Sequence, residues 1–319
     1  MSSNATELFR ADLTQPEIVG RLVELLKHGV PQSLPILGSL FHSSPPTAET
    51  IDGVAPKLYV WTSFDLNHAD RPSLYSVVAY SPLDNNQARY FCSADGSSDT
   101  PTGREKKHVV DFLTMFLRHV NDQLGDSSNP TMFKIGSVHE KWVDTLRSLD
   151  VDRANPCTKY LRAPPGPGDA LPDRDVLGGI FTISPLQPSD AESIISTSHI
   201  SRSREYILSR SLTSICIRAA GADGSGGRPI AWALQHSDGS IGTLFVQPEY
   251  RGKGLARKVM GTLVNRLDQA DAKAARGGAL GWNWVDVVAG NTNAEHFFEG
   301  LQGWHRGWTC YWISWASLD

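Results

Sequence analysis

Cysteine is scarce in this sequence and shows no pattern. Cys92, Cys157, Cys216 and Cys310 are the only four in 319 residues, with no Cys-x-x-Cys pair and no Cys/His ligand spacing. That argues against a disulfide framework or a zinc site, so the expectation is buried free thiols, a reducing compartment and no bound metal. Long hydrophobic runs are also missing. No stretch approaches the ~18 apolar residues of a membrane span, and the N-terminal MSSNATELFRADL is polar, so neither membrane nor secretory leader is expected. These absences point to the cytoplasm or the nucleus. Charge of one sign is lacking as well: 30 Lys and Arg stand against 34 Asp and Glu, a net −4, which argues against a nucleic-acid or membrane-surface partner and leaves a small molecule. There is no short-period repeat, no low-complexity tract, and nothing that speaks to oligomeric state.

What is present is an ordinary globular composition, 40% hydrophobic and 20% charged, in a chain long enough for two domains. Ile18, Leu22, Leu25 and Leu26 recur at helical spacing over residues 17–28, and residues 31–56 read as loop. Lys57 to Phe64, Leu74 to Ser81 and Ala88 to Cys92 read as strands separated by turn-forming residues. A helix with Val109, Phe112, Phe116 and Val120 on one face follows over about 104–121, then a short strand near 133–136 and a helix through Trp142, Leu146 and Leu149. Ala163 to Gly179, APPGPGDALPDRDVLGG, cannot support a helix or central strand and marks a linker. The expected division is 1–163, a linker at 164–179, and 180–319. In the last part, strands are expected at 181–183, 214–219, 230–235, 241–246, 284–289 and 308–315, and helices at 187–198, 203–209, 255–267 and 293–301. Ser237-Asp238-Gly239 reads as a tight hairpin turn.

The stretch richest in chemistry is Ile241 to Leu267, IGTLFVQPEYRGKGLARKVMGTLVNRL. It reads as an apolar strand, a loop Arg251-Gly252-Lys253-Gly254, and a helix whose Leu255, Ala256, Val259, Met260, Leu263, Val264 and Leu267 share one face. Two glycines let backbone N–H groups turn outward where the helix dipole is positive, and Arg251, Lys253, Arg257 and Lys258 add cations, so the expected ligand carries phosphate or pyrophosphate. No Gly-x-x-x-x-Gly-Lys-Ser/Thr run is present, which removes the P-loop reading. A dinucleotide fingerprint would need a small residue at Arg257 and a start directly after the strand, without Pro248, Glu249 and Tyr250 between. A glycine turn that merely joins strand to helix is the plainer alternative.

Arg251-Gly252-Lys253-Gly254-Leu255-Ala256 resembles the Arg/Gln-x-x-Gly-x-Gly/Ala loop of the GNAT (Gcn5-related) acyltransferases, which cradles the pyrophosphate of coenzyme A. Ala231 to Ala256, AWALQHSDGSIGTLFVQPEYRGKGLA, looks like the C-terminal domain of the glycine N-acyltransferase, FR47-like branch. The resemblance implies an α/β (α+β) fold of two tandem GNAT-like domains, each a mixed, mostly antiparallel sheet flanked by helices. The first half agrees only in element order: Ser93 to Gly103, SADGSSDTPTG, lacks the arginine and the Gly-x-Gly, which implies a degenerate domain without a coenzyme site. The resemblance further implies acetyl-CoA or another acyl-CoA as co-substrate. Leu244, Phe245 and Val246 would hold the pantetheine arm, and Asn291 and Asn293 would help hold the coenzyme; an ordinary strand-end turn is the alternative for the asparagines.

Two positions depart from the family. Where these enzymes carry a glutamate base, eleven residues before the loop arginine, stands Ser240; where many carry a tyrosine acid stand Phe297 and Phe298. The candidate catalytic residues are therefore Ser240 itself, His236 and Asp238 flanking the hairpin, and Tyr311 on the last strand. Plainer readings are a solvent-facing strand end for His236, a turn for Asp238 and core for Tyr311. Trp282, Trp284, Trp304, Trp308, Trp312 and Trp315 crowd the last quarter, either as an acceptor pocket or as packing. The expected activity is transfer of an acetyl or small acyl group from coenzyme A to the amine of a small molecule by direct attack. A coenzyme A-binding scaffold without turnover is the alternative.

Overall fold

A computed structural model describes residues 7–42, 58–68, 71–81, 87–124, 133–165, 181–198, 200–219, 227–273 and 280–315. Apart from residues 164 and 165, the expected linker lies outside the described residues, as does most of the stretch read as loop after His42. In chain order the elements are β1 (Phe9–Arg10), α1 (Pro16–Lys27), α2 (Leu34–His42), β2 (Tyr59–Thr62), β3 (Ser76–Ser81), β4 (Gln87–Cys92), α3 (Gly103–Leu124), β5 (Phe133–His139), α4 (Val143–Leu146) and β6 (Arg153–Arg162). The second half adds β7 (Phe181–Ser184), α5 (Ala191–Thr197), α6 (Arg204–Ser209), β8 (Ser214–Ala219), β9 (Pro229–Gln235), β10 (Ile241–Val246), α7 (Leu255–Lys273), β11 (Asn283–Val288), α8 (Thr292–Glu299) and β12 (Trp304–Trp315).

Three elements differ from the sequence reading, the first being the short β1, which was not expected and pairs with β2. α2 occupies residues read as loop, because LPILGSLFH is apolar on all sides and shows no helical period; Leu34, Ile36 and Leu37 are wholly buried. β6 was hidden by Asn155-Pro156 and by its charges. Its Lys159 and Arg162 are buried nonetheless, Lys159 paired with Asp286 of β11, and Arg162 with Asp268 of α7 at 2.9 Å. Burial disfavours the Lys159 charge, but Asp286 outweighs it and raises the ammonium pKa.

The strands form an eight-stranded sheet in the order β1-β2-β3-β4-β5-β12-β6-β11 and a four-stranded sheet in the order β10-β9-β8-β7. Pairing is antiparallel except between β4 and β5. α1 and α2 cover one face of β2–β4 through Leu22, Leu26, Ile36 and Leu37, and α3 covers the other through Val109, Phe112 and Phe116. In the second half, α7 and α8 pack on β8, β9 and β11 through Val259, Leu263 and Phe298, while α5 and α6 cover the opposite face of β8 and β9 at Trp232 and Leu234.

The last strand of the chain does not return to the second half alone. β12 lies between β5 and β6, pairing Cys310↔His139 to Trp315↔Phe133 on one side and Trp304↔Arg162 to Ser314↔Arg153 on the other. β6, which precedes the linker, is sandwiched between β12 and β11. The two halves thus exchange strands. All four cysteines are free and buried. Among the described residues no helix is long and apolar enough to cross a membrane, and no group of three His, Cys, Asp or Glu side chains is placed to hold a metal.

Cutting the chain between Ala163 and Gly179 would strip β12 from the first fragment and β6 from the second. Asp286 would also lose Lys159, and breaking a buried pair costs about 3–5 kcal/mol against a total stability of about 5–15 kcal/mol. We expect neither fragment to fold alone and the two, co-expressed, to copurify as one complex. A C-terminal fragment that melts cooperatively as a monomer, followed by circular dichroism, would contradict this.

Candidate functional site

β10 runs antiparallel to β9, but the register slips between Gly242 and Phe245, and Thr243 within the slip takes a φ of +54°. A β-branched residue in the left-handed region stores about 1–3 kcal/mol of strain and survives only where its surroundings hold it. A bulge bends its strand and sharpens the twist. Here the bend coincides with a parting of the sheets: β10 and β11 are neighbours, yet they share no ladder and belong to different sheets. This unpaired line between the two strands is the candidate slot. Gly242 to Val246 are half-buried along it, Leu244 packing towards α7 and Phe245 stacked on Trp232 at 4.9 Å.

Below the slot the chain turns through Pro248–Tyr250 into the loop. Gly252 and Gly254 have φ of +75° and +76°, and no atom lies within 4 Å of where a Cβ would stand on either. The loop is therefore open above, and glycine is required there by conformation rather than by crowding. Arg251 to Gly254 are exposed, Leu255 is buried and anchors α7, Ala256 is half-buried, and the first turn of α7 carries no acid. Arg251 Nε donates to Val246 O at 3.1 Å, tying the loop to the end of β10, and an Arg257 terminal nitrogen donates to Gly300 O at 3.2 Å, tying α7 to α8. Lys253 Nζ sits 5.1 Å from the Tyr250 ring centre. The result is a helix start without a carboxylate in its first turn, flanked by cations, which suits a pyrophosphate. Asn291 caps α8, its side-chain oxygen accepting from Ala294 N at 3.2 Å, and Asn293 is exposed in the first turn of the same helix.

The corresponding place in the first half is closed twice. β4 and β5 are zipped in parallel at Gln87↔Lys134, Ala88↔Ile135 and Arg89↔Gly136, so no slot opens. The start of α3 is filled by a capping box: Glu105 carboxylate accepts from Thr102 N at 2.7 Å and Glu105 N donates to Thr102 Oγ1 at 3.2 Å. These bonds from Thr102 hold the Glu105 carboxyl below its usual range, so a negative charge already stands where an anion would bind.

The structure brings three of the four candidate catalytic residues together and leaves the fourth apart. Asp238 is buried; its Oδ2 accepts from Arg89 Nε at 2.6 Å, and its Oδ1 accepts from Ser240 N at 3.0 Å and Ser240 Oγ at 2.6 Å. Burial works against its charge, but Arg89, His236 and the Ser240 hydroxyl outweigh it and hold the carboxyl well below the usual range. Asp238 is thus a fixed anion, too weak a base to take a proton from an amine; it stands in the turn its sequence suggests, but buried. Ser240 is itself 7% exposed, with its hydroxyl proton on Asp238. A glutamate there would press a second carboxylate against Asp238, which gives the departure from the family pattern a physical reason. His236 stands at the end of β9, not facing solvent but stacked on Tyr206, whose OH lies 3.0 Å from Nδ1. A Cβ on Gly242 would come 2.4 Å from His236 Nε2, so that glycine makes room for the imidazole beside the bulge. Tyr311, on β12, pairs with Val138 and Pro156 and packs on the α3 core of the first half, away from the slot.

Sequence reasoning missed Arg89 and Tyr206. Arg89 is 149 positions from Asp238, and nothing in QARYFC marks it. Tyr206 lies on a helix that was expected, but its aim at His236 has no sequence signal. The tryptophans pack: Trp284, Trp304 and Trp315 are buried in three separate clusters, Trp308 stacks on His139 at 5.9 Å, and Trp312 lies under the Arg89 guanidinium at 4.4 Å.

Residues 222–313 match the family model described as FR47-like protein, a segment that spans the hairpin, β10, the loop, α7, β11, α8 and most of β12. No curated protein matches the chain in sequence. Among solved structures, a tandem GNAT protein from the clavulanic acid biosynthesis pathway superposes with a TM-score of 0.53 at 11% identity, covering 98% of this chain and 99% of that one. A Drosophila protein superposes with a TM-score of 0.52 at 14% identity, covering 81% of this chain and 79% of its own. At such identities the likeness speaks to fold, and it extends over both halves. The chain has the tandem GNAT fold, with an FR47-like segment over residues 222–313 of its second half.

Proposed function

We propose that the protein is an acyltransferase that moves an acetyl or other small acyl group from coenzyme A to the amine of a small molecule by direct attack. The observation that carries this is the absence of a ladder between β10 and β11 beside the Thr243 bulge, a line that ends at the cation-flanked start of α7. A pantetheine arm fits between strands that leave each other's backbone groups unpaired, with its pyrophosphate at Gly252 to Ala256. One half of the molecule provides this arrangement and the other, zipped and capped, does not.

In the reaction an uncharged amine nitrogen attacks the thioester carbonyl carbon; the C–N bond forms, the C–S bond breaks, and a proton from nitrogen ends on sulfur. A bulge leaves backbone groups out of the ladder, and we assign to the strand N–H groups at Thr243 and Leu244 the role of meeting negative charge growing on the carbonyl oxygen. Positioning alone supplies roughly 7–11 kcal/mol, whereas a general base contributes about 10²–10⁴-fold, so turnover survives without a carboxylate base. A second reading, coenzyme binding without turnover, draws support from the engagement of Asp238 and Ser240 with each other. Thiol release from acetyl-CoA and longer acyl-CoAs across an amine panel separates the two: the enzyme reading requires acceptor-dependent release, and its absence with every amine would leave only the binding reading.

Two expected outcomes test the site. Gly254→Asp puts a side chain on a +76° backbone and a carboxylate at the helix start, and abolishes coenzyme A binding measured by calorimetry; Arg251→Ala, losing one charge-assisted bond of about 1.5–3 kcal/mol, weakens it roughly 10–150-fold. An unchanged Kd for Gly254→Asp would refute the loop assignment. For an alkyl amine with pKa near ~10.4, only about 0.1% is uncharged near neutral pH. With Asp238 held ionised and Ser240 engaged, kcat/KM rises with a slope near one up to pH 8.5; a plateau at about pH 6–7 that His236→Ala removes would instead make His236 the base.

A further inference from the structure

The turn from β9 to β10 is buried in the other half of the molecule. Ser237, Asp238 and Ser240 are each less than a tenth exposed. Gly38 of α2 lies so close beneath the turn that a Cβ would come 1.8 Å from Asp238 O. Gly239, at φ +86°, faces back across the same contact: a Cβ there would meet the Trp284 ring at 2.6 Å and Gly38 Cα at 3.1 Å. Two glycines allow this backbone-on-backbone seat, and Trp284 of β11 forms its wall.

Into the seat reaches Arg89 of β4. Its Nε donates to Asp238 Oδ2 at 2.6 Å with both side chains 5% exposed, and its guanidinium lies over Trp312 of β12. Gly136 of β5 leaves space for that ring, since a Cβ would come within 2.8 Å of it. The guanidinium is thus fixed by elements of the eight-stranded sheet, while the carboxylate it holds belongs to the hairpin that begins β10. Through Oδ1 the same carboxylate grips Ser240 N and Oγ. Two residues later come Gly242 and the strained bulge that parts β10 from β11. A second tie runs parallel: an Arg210 terminal nitrogen, just after α6, donates to His42 O at 2.8 Å at the end of α2.

We propose that Arg89 is a positioning residue for acyl transfer: through Asp238 it fixes the start of β10 against β11 and so sets the slot, making the half that binds no coenzyme a working part of the site. This rests on the acyltransferase reading above. The pyrophosphate loop lies at the far end of β10 and is held by Arg251 and α7, so the clamp governs attack geometry more than coenzyme affinity.

The test uses full-length Arg89→Met, Arg89→Lys and the charge-free pair Arg89→Met/Asp238→Asn, the last guarding against a fold lost to an unpaired buried carboxylate. Coenzyme A affinity, kcat with the best acceptor, and amide hydrogen exchange over Ser240 to Val246 are read on each. In Arg89→Met and in the pair, kcat is expected to fall by about 10²-fold, the scale of a 1 Å misplacement, with coenzyme Kd within about fivefold and exchange over Ser240 to Val246 accelerated; Arg89→Lys regains part of both. A folded pair whose kcat and local exchange match the parent overturns the proposal, as does a loss of exchange protection spread evenly over the chain. If the parent shows no turnover with any amine, the acyltransferase reading fails, while the exchange measurement still decides whether Arg89 holds β10.

Discussion

The exchange of β6 and β12 is the constraint from which the rest of the structure follows. Each half lends a strand to the other's side of one continuous sheet, so β5 and β11 are connected through two strands that belong to neither half alone. This fixes β11, one wall of the proposed slot, to the first half through its ladder with β6. It also explains the charges buried on β6: Lys159 and Arg162 find their carboxylates on β11 and α7, elements more than a hundred residues later in the chain. Buried pairs of this kind stabilise little on their own but penalise heavily any arrangement that separates them, which specifies a single register for the exchanged strands.

Against that shared wall, the other wall of the slot is movable in principle, since β10 forms no ladder with β11. Its position is set at both ends by side chains. Arg251 holds the carbonyl of Val246 at one end, and Asp238 with Arg89 holds Ser240 at the other, with the strained Thr243 between. The first half has the same element order and neither feature: β4 and β5 pair directly, and Glu105 occupies the start of α3. The two halves thus differ at the same place: one leaves β10 and β11 without a ladder, and the other pairs β4 with β5 and caps α3.

How much of this was legible in the sequence follows from how local each feature is. The strand, loop and helix of residues 241–267 could be read directly because conformation and charge there depend on consecutive residues, and both glycines have the positive φ their positions imply. α2 could not, since a helix buried on all sides carries no amphipathic period, and β6 could not, since its partners are remote. The turn Ser237-Asp238-Gly239 was legible as a hairpin, but its burial was not; short polar residues with a glycine look the same whether they meet water or, as here, Gly38 and Arg89. That the first half lacks the arginine and the Gly-x-Gly was legible in its sequence, whereas its zipped strand pair and capped helix were not.

Amide hydrogen exchange of the full chain with and without coenzyme A tests the central claim most directly. The account predicts new protection at Gly242 to Val246, Gly252 to Ala256 and the Val288 to Asn293 segment, with residues 87–105 and 133–136 unchanged. Protection centred on α3 and the β4–β5 pair, or no protection at saturating coenzyme A, would contradict it.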